Sequence, residues 1–60
     1  MAYTLDCKRQ RETDNAVLVT DDDGTDIWFP LSQVESMHFN HSGVGHIVVS
    51  DWIAAQKGLG

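Results

Sequence analysis

The sequence predicts a mainly β (α+β) domain, in which about five strands form a small curled antiparallel sheet or an SH3-like, partly open barrel, with one short C-terminal helix. Three observations support this prediction. Short segments rich in β-branched and aromatic residues alternate with turn-forming residues. An Asp-Gly pair and the only proline interrupt the middle of the chain. A helical pattern begins only after Ser50.

The first half of the chain contains two predicted strands. Tyr3, Leu5 and Cys7 alternate with polar residues, which is typical of a half-buried strand. Residues 9–15 contain no aliphatic residue, and we expect an irregular connection there. Residues 16–20 form a short, continuous apolar segment and are predicted to be a central strand.

The middle of the chain predicts a hairpin followed by a bend. Gly24 ends a run of three aspartates and can adopt the positive φ that a tight turn requires. Residues 25–29 then return as the next strand. Pro30 lacks an N–H group, so strand pairing should stop there and residues 31–33 should form a 3₁₀-like bend.

The last third predicts a second hairpin and the helix. Residues 34–40 and 46–49 are expected to pair across a loop, with Glu35, Met37 and Phe39 on one side of the first strand. Ser50 is a suitable N-cap for a helix of about two turns that ends at Gly58. Leu59 should then fold back on the helix.

Large apolar side chains predict where the core lies. Residues 27–34 hold a tryptophan, a phenylalanine and the proline, so Trp28 or Phe29 should occupy the centre of the core. Trp52 is expected to dock the helix on the sheet. If Trp28 is the core residue, a Trp28→Ala substitution should unfold the domain.

Composition limits the class of protein. The chain has 60 residues, so residues 1–60 form one domain, and this size makes a homo-oligomer, dimeric or larger, attractive. It carries 9 acidic and 4 basic residues, for a net charge of -5, which disfavours general nucleic-acid binding. The single cysteine cannot form an internal disulfide, and no signal peptide or membrane segment is evident. These features predict a soluble, cytoplasmic protein.

Two segments resemble a known group of proteins. Trp28-Phe29-Pro30-Leu31-Ser32-Gln33 and the terminal Trp52-Ile53-Ala54-Ala55-Gln56-Lys57-Gly58-Leu59 resemble short, uncharacterised bacteriophage and prophage proteins with a Trp-x-Pro-x-Ser-Gln segment and a Trp-(Ile/Leu)-Ala-x-x-Lys-Gly-Leu helix. Leu31 stands where many members of that group have lysine. The resemblance implies a viral origin and the cytoplasm of an infected bacterial host, and it implies no catalytic residue.

Two charged segments are the candidate binding sites. The acidic one does not fit an EF-hand, because aligning Gly24 with the loop glycine places Pro30 at the terminal acidic position. A protein-binding surface is the favoured functional interpretation, and its residues are Asp21, Asp22, Asp23, Asp26, Leu31 and Gln33. The alternative is a phosphate-binding cluster of Lys8, Arg9 and Arg11.

Other chemistry is not predicted. His38, His41 and His46 flank one hairpin loop, but their spacing matches no established zinc pattern, which favours ordinary surface histidines and incidental metal binding. Cys7 has no identifiable base beside it and is expected to be a small buried residue. No cofactor, structural metal or catalytic residue is assigned.

The functional hypothesis is a non-enzymatic phage protein that inhibits a host anti-phage defence component by binding to it. Its acidity suits a basic surface on a host protein. Two alternatives stay open. One is an oligomeric sponge that sequesters a nucleotide immune signal, and the other is a small nucleic-acid-binding accessory of phage recombination or replication.

Overall fold

The fold is described by a computed structural model that covers residues 2–59. Its five strands form one antiparallel sheet in the order β3-β2-β1-β5-β4, which is open and is followed by one short helix. This confirms the predicted fold class. In chain order the elements are β1 (Ala2–Glu12), β2 (Ala16–Asp21), β3 (Asp26–Pro30), a 3₁₀ turn (Leu31–Gln33), β4 (Val34–Phe39), β5 (Val44–Ser50) and α1 (Asp51–Gln56).

Strand β1 is longer than predicted and joins the two halves of the sheet. Its N-terminal part pairs with β5 and its C-terminal part with β2, and the two pairings overlap at Cys7 and Lys8. The prediction of an irregular connection over residues 9–15 is therefore wrong for residues 9–12 and confirmed for residues 13–15. Backbone pairing with β2 holds this polar stretch extended, with a β-bulge where the register shifts between Arg9 and Arg11.

The core lies on one face of the sheet, called here the inner face. Phe29 is fully buried there, whereas Trp28 is 41% exposed on the opposite, outer face. Of the two residues predicted for the centre of the core, Phe29 is confirmed and Trp28 is wrong, because successive residues of a strand point to opposite faces. The buried residues are Cys7, Val17, Val19, Ile27, Phe29, Ile47, Val49, Ile53 and Ala54.

Helix α1 forms as predicted but docks through other residues. The Ser50 hydroxyl accepts a hydrogen bond from the Ile53 N–H at 3.2 Å, as an N-cap does. The Leu59 N–H donates to the Ala54 carbonyl at 2.8 Å, which is the closing bond of a Schellman motif. Ile53 and Ala54 are buried, whereas Trp52 is 60% exposed, so the predicted docking through Trp52 is wrong. Within residues 2–59, no helix is long and apolar enough to cross a membrane.

The edge strand β4 contains a second irregularity. Its register with β5 shifts between Val34 and Ser36. As a result Val34, Met37 and Phe39 pack against the core, and Glu35 is exposed. The predicted grouping of Glu35 with Met37 and Phe39 is wrong because a bulge breaks the period of two.

Two devices limit further pairing at the edges of the sheet. Edge strand β3 ends at Pro30, which has no N–H to donate, and edge strand β4 carries the bulge after Val34. Both features protect exposed strand edges. The expected homo-oligomer stays a prediction.

Candidate functional site

The predicted hairpin turn after β2 is stabilised by the side-chain carboxylate of Asp21. The Asp21 Oδ1 atom accepts hydrogen bonds from the backbone N–H groups of Asp23 and Thr25, both at 2.9 Å. The Gly24 N–H donates to the Asp21 carbonyl at 3.0 Å, and Gly24 has a φ of +84°. The Asp-Gly prediction of a tight turn is therefore confirmed, and Asp21 is held in place by its own turn.

The turn between β4 and β5 is built in the same way. The Asn40 Oδ1 atom accepts from the N–H groups of Ser42 at 2.8 Å and Val44 at 3.1 Å, and Gly43 has a φ of +86°. This repetition was not predicted from the sequence. The signal was the common spacing of Asp21 to Gly24 and Asn40 to Gly43.

The four predicted aspartates of the first hairpin form one surface, called here the acidic turn (Asp21, Asp22, Asp23 and Asp26). The Asp26 Oδ1 atom accepts a hydrogen bond from the Thr20 hydroxyl at 2.6 Å, which ties β3 to β2. Asp22 and Asp23 lie between these two anchored carboxylates and are exposed. The backbone that bears the exposed charges of Asp22 and Asp23 is thus held in place by hydrogen bonds to Asp21 and Asp26.

A depression of about 250 Å³ lies beside the acidic turn on the outer face, where β2, β1 and β5 meet. Its lining includes Asp6 of β1 together with Asp21 and Asp22, and also Lys8 and Val44. The register that pairs Cys7 with Asp21 brings Asp6 to this place. Sequence reasoning missed Asp6, because no local pattern shows which strand neighbours the acidic turn.

The predicted phosphate-binding residues are divided between the two faces. Lys8 and Arg11 pair with Thr20 and Leu18 and lie on the outer face, whereas Arg9 pairs with buried Val19 and lies on the inner side. The Arg9 Nη1 atom is 3.8 Å from the Glu12 Oε1 atom, and its Cζ atom is 5.8 Å from the centre of the Phe39 ring. The three cations therefore do not form one cluster.

Leu31 and Gln33 take part in structural contacts away from the acidic turn. They follow Pro30, which pairs with Ala16 at the opposite end of the β2–β3 hairpin. Leu31 packs against the core, and the Gln33 Oε1 atom accepts a hydrogen bond from the Ser50 hydroxyl at 2.6 Å. The predicted protein-binding residues are thus separated into two places.

Cys7 is buried, as predicted, and its thiol lies in an unfavourable environment for ionisation. Burial, together with the negative charges of Asp6, Asp22 and Asp21, raises the pKa of the Cys7 thiol from 9.0 to about 11. A thiol with such a pKa is protonated at neutral pH. It is therefore a poor nucleophile.

This environment predicts an effect of alkaline pH on stability. The thiol of the unfolded chain ionises near pH 9, while the folded protein keeps its proton until about pH 11. The free energy of unfolding should therefore fall between pH 9 and pH 11, by at most about 3 kcal/mol for this rise in pKa. Urea unfolding of the wild type and Cys7→Ala across this range checks the prediction. Equal pH slopes in the two proteins would contradict it.

Two of the three candidate metal-binding histidines lie opposite each other. His38 of β4 pairs with His46 of β5, and their ring centres are 6.0 Å apart. His41 lies in the turn between these strands and is exposed. The described residues contain no group of three or more histidine, cysteine or acidic side chains that could hold a metal ion.

No protein-family model, curated protein or solved structure matches the chain. Function must therefore be inferred from the side chains that the fold brings together.

Proposed function

We propose that this chain is a non-enzymatic interaction protein that binds a basic surface of another protein through its acidic turn. The main observation in support is that Asp6, from strand β1, lines the same depression as Asp21 and Asp22. Negative charge from two strands is thereby concentrated on one side of the molecule. Such a surface attracts a basic partner over long range and speeds its association.

The rigidity of the acidic turn supports the same function. Both Asp21 and Asp26 accept hydrogen bonds within the hairpin, so the backbone that carries Asp22 and Asp23 is fixed before any partner arrives. A preorganised surface loses less conformational entropy on binding. The turn can therefore contribute affinity as well as attraction.

The partner that we propose is a component of a bacterial host's anti-phage defence. The phage-protein resemblance of the two tryptophan-containing segments and the net charge of -5 support this choice. A component that handles nucleic acid binds it through Lys and Arg side chains and therefore presents a basic channel. A small acidic protein can block a channel of this kind by electrostatic complementarity.

The two exposed aspartates provide the test. A partner captured from bacterial lysate would be bound to wild type and to the Asp22→Asn/Asp23→Asn double variant. We expect about tenfold weaker binding by the variant, mainly through slower association, and a wild-type affinity that falls as salt rises. Asp21 and Asp26 stay unchanged in this variant because their carboxylates hold the turn.

The basic residues provide the matched control. Arg9→Ala and Arg11→Ala should leave binding of this partner unchanged, since neither residue lines the depression. If these variants abolish binding and the aspartate variant does not, the acidic-turn proposal is wrong. The phosphate-binding alternative would then be favoured.

One observation favours a second candidate, the nucleic-acid-binding accessory. Trp28 is 41% exposed on the outer face, next to Leu18, whose other neighbour in the sheet is Arg11. An exposed indole can stack on an unpaired base, and a guanidinium in the same row of the outer face, two strands away, can contact the nucleic-acid backbone. For this candidate the ligand in the same experiment would be a single-stranded oligonucleotide. Its binding would be lost in Arg11→Ala and retained or strengthened in the aspartate variant.

A further inference from the structure

We propose that His38 and His46 form a two-ligand site for a divalent transition-metal ion on the outer face of the sheet. The two residues are direct cross-strand partners in the β4–β5 ladder. Their ring centres are 6.0 Å apart and their ring planes are inclined by 30°. The site is independent of the acidic turn and goes beyond the proposed function.

The ring separation is close to what one shared ion requires. Metal–imidazole bonds of about 2.0–2.1 Å place the centres of two rings on the same ion about 5–6 Å apart. A small rotation of the two side chains therefore brings both rings into range. The backbones do not have to move, because strand pairing already holds the two residues opposite each other.

The surrounding charge favours a cation at this place. Asp6 of β1 lies directly opposite His46 in the sheet, on its other side, so a carboxylate is in the same row of the outer face. The nearest lysine on β1, Lys8, pairs with Val44 and not with a histidine. The chain also has a net charge of -5. The carboxylate of Asp6 and the net negative charge of the chain lower the electrostatic energy of a bound dication.

The ligand type specifies the class of ion. Neutral imidazole is a ligand for zinc, nickel and copper ions, whereas calcium and magnesium prefer oxygen. The described residues hold no group of three or more potential ligands, so the protein supplies two and water occupies the remaining positions. His41 is not a ligand, since it lies in the turn and outside the cross-strand pair.

A calorimetric titration with Zn²⁺ at neutral pH tests the site. We expect one ion per chain for the wild type. His38→Ala and His46→Ala should each raise the Kd for Zn²⁺ at least about tenfold, because one imidazole alone cannot chelate. The matched control is His41→Ala, which removes a histidine from the same hairpin and should change the Kd by less than about twofold.

The amide NMR spectrum of each variant, recorded without metal, establishes that it is folded. His38→Gln and His46→Gln, which keep a polar side chain of similar size, should lose Zn²⁺ binding in the same way as the alanine variants. Unchanged Zn²⁺ affinity in the folded His38 or His46 variants overturns the proposal. An equal loss of affinity in His41→Ala also overturns it, since the loop histidine would then be a ligand. Neither result affects the acidic-turn proposal, because none of the three histidines lines the depression beside the acidic turn.

Discussion

Phe29→Ala is expected to unfold most of the protein at room temperature, whereas Trp28→Ala should leave it folded. Phe29 is fully buried, with 0% of its surface exposed to solvent, whereas Trp28 is 41% exposed on the other face of the sheet. Removing a buried phenylalanine side chain costs about 3–5 kcal/mol. A domain of this size has a total stability of roughly 3–9 kcal/mol, so a loss of this magnitude removes much of it.

Urea unfolding followed by circular dichroism measures both effects. The Trp28→Ala protein should retain a cooperative transition and lose less than about 2 kcal/mol, because its side chain is only partly covered. A Trp28 variant that unfolds while the Phe29 variant stays folded would show that the two faces of β3 are assigned the wrong way round.

Gly45→Ala is expected to be comparably damaging for a different reason. A Cβ atom at Gly45 would lie 2.8 Å from both the His38 carbonyl carbon and the Phe39 Cα, and closer still to the His38 carbonyl oxygen. Backbone atoms cannot move aside as a flexible side chain can. The β4–β5 hairpin must therefore open locally, at a cost of about 3 kcal/mol or more.

Gly24→Asn is the control for the loss of a glycine. A Cβ atom at Gly24 would meet no other atom within 4 Å, and only its φ of +84° restricts the residue. Asparagine tolerates this conformation, so the cost should be at most about 1 kcal/mol. Thermal unfolding of the two variants compares them directly. A Gly45→Ala protein as stable as Gly24→Asn would contradict the close approach of β4 and β5.

Local patterns were sufficient to predict most elements of the fold. The apolar segment of β2, the glycine of the acidic turn, Pro30 at the end of β3 and Ser50 at the start of α1 each specify their own backbone conformation. Non-local pairing was not predictable in this way. The polar end of β1 is a strand only because β2 lies beside it, and a bulge in that pairing is invisible in the sequence.

The difference between local patterns and non-local strand pairing also explains which parts of the candidate site could be predicted. The aspartates of the acidic turn are adjacent in sequence, and the structure keeps them together. Asp6 reaches the depression only through the register of β1 with β2, and Arg9 is separated from Lys8 and Arg11 by strand alternation and the bulge. Trp28 and Phe29 are neighbours in the chain with similar hydrophobicity, so periodicity alone could not decide which of them faces the core.

NMR of the labelled protein measures whether the acidic turn contacts a protein partner. Amide chemical shifts of the labelled protein would be mapped before and after addition of the partner captured from lysate. The shift changes should concentrate at Asp6, Asp22, Asp23 and Gly24, and they should diminish with added salt. Changes confined to α1 and the bend at Leu31–Gln33, with the acidic turn unaffected, would contradict the proposed contact.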